Sequence, residues 1–184
     1  GTTVKYVIRN HAVRIGIAVS LLAGVVPNAN ADVITDWNIK AGEIVTESKL
    51  GTPPAIRAMA IVQTSVYEAV NATAPGASVD AAVAAANRAT LTKLMPSQQA
   101  SIDAAYQAAL VQIADGPAKT AGIAVGEQAA AAVLARRADD GALPAESYRP
   151  HTTAGTYVPT ATPAVTQWSQ RKPWLMTSAA QFRP

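Results

Sequence analysis

Two histidines, His11 and His151, and no cysteine set the first limit on the chemistry open to this 184-residue chain. Without cysteine there is no disulfide, no thiolate nucleophile and no Cys-based metal site. His151 stands in "YRPHTT" beside a proline, and the expectation there is a hydrogen-bonded loop residue rather than a metal ligand or acid–base group. Arg57 lies in an apolar stretch and could in principle reach an anion. A buried guanidinium must be paired, so a structural role is expected, with backbone carbonyls or a carboxylate as acceptors. Glu68 lies 11 residues further on, about three helical turns, so a partner on another helix is the better expectation for Arg57.

Arg136, Arg137, Asp139 and Asp140 form a mixed charge run, read as a solvated helix end whose basic residues favour the C-terminal dipole. Asn71-Ala72-Thr73 matches the N-glycosylation pattern, but on a helix expected to be buried it reads as a chance match. Trp168 and Trp174 read as anchors for an extended segment rather than as stacking platforms for a substrate. No residue is therefore assigned a catalytic, cofactor-binding or metal-binding role.

The elements that would position these side chains follow from composition. Hydrophobic residues make up 49% of the chain and charged residues 15%, which indicates a globular chain of one domain or part of one. Residues 1–31 carry Lys5, Arg9 and Arg14, then the uncharged run Ile15 to Val26, then Pro27 and Ala29-Asn30-Ala31. That order is the pattern of a secretory signal peptide. The run of 12 residues is too short to span a membrane, which takes about 20. The expected mature chain starts at Asp32 and is exported to a periplasmic or extracellular location. Three of the 15 Lys and Arg lie in this segment and none of the 12 acids do, which leaves 12 of each. The net charge of +3 thus belongs to the leader, and neither nucleic acid nor, once the leader is removed, a membrane is expected as a partner.

The stretch 32–142 is helical in pattern, and the fold class expected is all-α: an Ala-rich bundle. Trp37, Ala41, Ile44, Val45 and Ser48 recur at spacings of three and four. Gly51 and Pro53-Pro54 separate that helix from a second, where Ile56, Met59, Val62, Val66 and Val70 share a face. This second helix is apolar nearly all round and is expected at the centre. Asp80 is expected to cap a third helix through about Leu94, and Ser97 a fourth carrying Ile102, Tyr106, Leu110 and Ile113. Pro117 opens a fifth helix to about Ala138, with Gly141 as the stop. Alanine abundance over 81–135 predicts close approach of helix axes. After residue 142 the pattern changes: 143–184 reads as an irregular, Pro- and aromatic-rich crossover lying on a surface.

"AIRAMAIVQTSVYEAVNAT", residues 55–73, resembles a helix near the start of bacterial vanadium-dependent haloperoxidases and their relatives in the type 2 phosphatidic acid phosphatase superfamily. The matching residues are Arg57, Ala58, Met59, Tyr67, Glu68, Ala69, Val70 and Asn71. Trp37-Asn38 is similar to the family's opening pair. "GEQAAAAVLARRADDG" (126–141) and "KPWLMTSAAQFRP" (172–184) resemble the passages that follow. The likeness spans about 32–184, and it departs at Gln63, where His is frequent, and at Glu68, where Asp is usual.

The resemblance implies an oxyanion site for vanadate or a transferring phosphoryl group. In the family that site takes a Lys separated by six residues from Arg-Pro, a Pro-Ser-Gly-His block, and a Ser-Arg block followed by His. Clustered cations and donors neutralise the anion, and one imidazole bonds its centre. None of these blocks is present. Arg183-Pro184 has Met176 at the Lys position, Arg149-Pro150 has Ala142, and Pro96-Ser97 is followed by Gln98-Gln99. The expectation is an N-terminal scaffold portion of an exported haloperoxidase-like or acid-phosphatase-like enzyme, a partial domain inactive alone. Vanadate would belong to the whole enzyme. The expected partner is the catalytic half, or a second subunit supplying it, and a homo-oligomer is possible. The alternative expectation is a self-contained exported helical module that binds a partner through its aromatic, Pro-rich tail.

Overall fold

A computed structural model describes residues 32–183, and the leader expected over 1–31 lies outside the described residues. Among those described, the regular structure is five α-helices and two short 3-10 helices, with no strand, so the chain is all-α. The helices are α1 (Val33–Glu47), α2 (Thr52–Ala72), α3 (Val79–Leu94), α4 (Gln99–Val111) and α5 (Pro117–Arg136). None of them is long and apolar enough to cross a membrane.

Local chemistry sets the helix ends. Asp32 caps α1 by accepting from the Ile34 N–H. Pro53 and Pro117 stand in the first turns of α2 and α5, where an N–H has no intrahelical partner to lose. The cap of α3 is Ser78, whose Oγ accepts from the Ala81 N–H at 3.2 Å, and the expected cap, Asp80, sits in the first turn instead. Ser97 is likewise not a cap, because Pro96–Gln98 forms a 3-10 turn ahead of α4. Lys119 closes the other end of α4, donating to the carbonyls of Leu110 (2.7 Å) and Ile113 (3.2 Å) and to Asp115 (2.8 Å).

The central helix is α3, not α2. Every residue from Ala81 to Asn87 is buried, and α1, α2, α4 and α5 all pack on it. Small side chains explain this: a run of alanines admits neighbours on every side. The closest neighbour is α5, which turns Gly122 and Gly126 toward α3. A Cβ on Gly122 would lie 2.2 Å from the Ser78 carbonyl oxygen, and one on Gly126 would lie 2.2 Å from that of Ala82. The Ser78 N–H also donates to the Ala118 carbonyl at 2.9 Å, fixing the two helix starts side by side.

The second helix buries Ala58, Ile61, Val62, Ser65, Val66 and Ala69, but Ile56 and Tyr67 point to solvent. On α1 the expected stripe of Trp37, Ala41, Ile44 and Val45 is the buried one. Beyond α5 the chain forms turns and one 3-10 helix, Thr166–Gln170. It returns to the helices where the Lys172 N–H donates to the Asp140 carbonyl at 3.0 Å.

Candidate functional site

The residues that most resemble a built site gather where the start of α2, the end of α5 and the returning chain meet. Arg57 lies in the second turn of α2, beside the solvent-facing Ile56. Past the end of α5 the chain turns through Ala138 and Asp139 and carries Asp140 back inward, so that it is 1% exposed. Gly141 then adopts φ +79°, a left-handed conformation that favours glycine.

Asp140 is the hub. Its Oδ2 accepts from Arg57 Nε (2.9 Å), Arg137 Nε (3.1 Å) and Arg171 Nη2 (2.5 Å). Its Oδ1 accepts from Arg57 Nη2 and from the Ala142 N–H, each at 3.2 Å. Arg57 Nη2 also donates to the Arg137 carbonyl at 2.9 Å, and Arg171 Nε to the Asp140 carbonyl at 2.9 Å. Arg137 extends the cluster along the returning chain, donating to the carbonyls of Pro173 (3.2 Å) and Lys172 (2.8 Å). Two indoles cover it: Trp174 lies 4.2 Å from the Arg137 guanidinium and Trp168 lies 4.3 Å from that of Arg171.

Burial alone would raise the Asp140 carboxyl, but the hydrogen bonds and charges of Arg57 and Arg171 together hold it below the ordinary aspartate value. Burial pushes the Arg171 guanidinium down. Asp140 opposes that shift, and the charges of Arg57 and Arg137 add to it.

An open cavity of about 580 Å3 borders the cluster, with Pro53, Ile56, Trp168, Trp174 and Met176 among its apolar walls. Arg57, Arg137, Arg171, Lys172 and Arg183 also line it, and among the described residues no acidic residue or histidine does. Such a lining can bind an anion through guanidinium and ammonium donors. Its hydroxyl, Ser169, donates to the Thr166 carbonyl at 3.2 Å. Among the described residues, no group of three or more His, Asp or Glu is placed to hold a metal ion.

The residues singled out in the sequence fall as follows. Arg57 pairs with a carboxylate and a backbone carbonyl, Asp140 and that of Arg137, in the turn after α5 rather than on another helix. Glu68 instead accepts from Arg136. The charge run 136–140 is not a solvated end: Arg136 and Asp139 are exposed, but Arg137 and Asp140 are buried, because the chain doubles back and covers them. His151 is an exposed loop residue, and among the described residues its side chain makes no hydrogen bond. Asn71 is exposed at the end of α2, not buried, and donates to the Tyr67 carbonyl at 2.8 Å. Trp174 ties the returning chain to Arg137 at the end of α5, Trp168 stacks on Arg171 within the returning chain, and Tyr148 and Tyr157 stay exposed.

Nothing in the sequence marks Asp140 or Arg171 as a site residue. Asp140 was visible only as one charge in a run, and nothing in "QRKPW" distinguishes Arg171 from a surface cation. No family model, no curated protein and no solved structure matches the chain.

Proposed function

We propose that this chain is the helical scaffold portion of an exported haloperoxidase-like or acid-phosphatase-like enzyme, with the oxyanion-binding blocks supplied by residues outside it, in the same polypeptide or a second subunit. One observation carries the reading beyond the sequence likeness. Arg57 belongs to the first resembling stretch, Arg137 and Asp140 to the second, and the Lys172 and Pro173 carbonyls to the third. Three passages far apart in sequence thus join in one buried cluster, as the parts of a shared framework should.

Vanadate itself does not fit the residues present. Its centre needs an imidazole nitrogen, and among the described residues no histidine lines the cationic cavity. The role assigned to this chain is to hold the framework and part of a pocket wall. The purified 184-residue protein should therefore neither halogenate with bromide, peroxide and added vanadate nor hydrolyse a phosphomonoester above blank. Turnover of either kind would overturn the proposal. An open frame downstream of the Pro184 codon that contains Pro-Ser-Gly-His supports it, and N-terminal sequencing of exported protein should begin at Asp32.

The exposed Trp174, Leu175, Met176 and Phe182 favour a second reading, a self-contained module that binds a partner through this tail. The same downstream DNA separates the two, since the module needs no catalytic blocks.

A further inference from the structure

The buried cluster is out of charge balance. Arg57, Arg137 and Arg171 are 19%, 7% and 10% exposed at their side chains, and they share the single carboxylate of Asp140. That carboxylate already accepts from all three guanidiniums and from the Ala142 N–H. Among the described residues two positive charges are left without a counterion, which is unfavourable for groups partly withdrawn from water. Donors are unused as well. Arg171 Nη1 is buried with no acceptor, and among the described residues nothing accepts from Arg57 Nη1. Lys172 and Arg183 add two more cations to the cavity wall, and neither side chain makes a hydrogen bond among the described residues.

The surroundings indicate what kind of molecule could bring an anion here. The walls are apolar, and apolar exposure continues past the cavity to Leu175, 98% exposed, and Phe182, 80% exposed. A small ion would cover none of this, whereas a polypeptide segment covers both the cations and the rim. Trp and Arg side chains facing an open groove are also the residue types that dominate protein–protein binding energy.

We propose that this groove docks a polypeptide segment that places a carboxylate side chain among Arg57, Lys172 and Arg183 and rests flanking apolar side chains on Ile56 and Trp174. The proposal goes beyond the scaffold reading and does not depend on it.

The test is titration of the whole chain with the peptide Ac-Leu-Phe-Asp-Phe-Leu-NH2 and with its Asn counterpart, followed by calorimetry and by Trp168 and Trp174 fluorescence. The Asp peptide should bind about tenfold more tightly than the Asn peptide, the difference shrinking in high salt. The Lys172→Gln/Arg183→Gln double variant removes exposed groups outside the buried cluster, so its urea midpoint should not move. Its affinity for the Asp peptide should fall about fivefold. Equal binding of the two peptides, no binding of either, or inorganic phosphate binding as tightly as the Asp peptide would each overturn the proposal.

Discussion

Arg57 reaches both carboxylate oxygens of Asp140, Nε to Oδ2 at 2.9 Å and Nη2 to Oδ1 at 3.2 Å, across 83 residues of sequence. The two-point geometry fixes the loop after α5 against the second turn of α2. It also turns the Asp140 backbone carbonyl toward the Lys172 N–H and Arg171 Nε. One pair therefore determines where the returning chain lands.

Replacing Asp140 with Ala leaves one buried and two partly buried guanidiniums without their shared carboxylate, and removing one partner of a buried ion pair is strongly destabilising. The expected loss is about 3–5 kcal/mol, read from the urea midpoint and slope. A loss within about 0.5 kcal/mol, the range of an ordinary surface change, would show that the cluster is not a folded-state anchor.

The same carboxyl gives a pH dependence of fixed sign. Its folded value lies below the ordinary one, so its contribution is fully present above about pH 4 and is lost as pH falls through the folded value. Glu146, Asp103 and Asp115 are also held low, by Thr166, Gln99 and Lys119 first of all, so the total acid response is shared. The informative quantity is the difference between the parent protein and Asp140→Asn. It should be constant from about pH 7 to pH 5 and shrink below about pH 4. A difference that grows on acidification contradicts the assignment.

Gly126→Ala should destabilise, although alanine is ordinarily better than glycine inside a helix by about 1 kcal/mol. The added Cβ would meet the Ala82 carbonyl oxygen at 2.2 Å and the Ala85 Cβ at 2.8 Å, and backbone cannot rotate away as a side-chain tip can. α3 and α5 would have to separate, at a loss of about 1–3 kcal/mol. Gly42 on α1 is the control, because a Cβ there meets nothing within 4 Å. Thermal melts of the two variants should move in opposite directions.

Trp174→Ala removes the indole from the Arg137 guanidinium, 4.2 Å away. The lost cation–π contact is about 1 kcal/mol. Its effect should be local: faster proteolysis and amide exchange over 166–183, with α3 and α5 protected as before. Uniform loss of protection along the chain would mean that the indole supports the bundle itself.

Much of the architecture was legible. Trp37, Ala41, Ile44 and Val45 were readable as one buried face because a helix repeats every 3.6 residues, and Pro117 marked the start of α5. Cap identity was less legible, since Ser78 and Asp80 are both good caps and only the path of the entering chain selects between them. The site was least legible. A run such as Arg136–Asp140 has the same composition whether it faces water or is covered by a later segment.

By itself the sequence determined which stretches are helical and roughly where each begins, because spacing and prolines act locally. Only the tertiary structure decided that α3 is central, that Arg137 and Asp140 are buried, and that Arg57 and Arg171 share one carboxylate. The reason is physical. Burial and charge pairing depend on what lies across the chain, and here the partners of Asp140 are three residues away in one case and 83 in another.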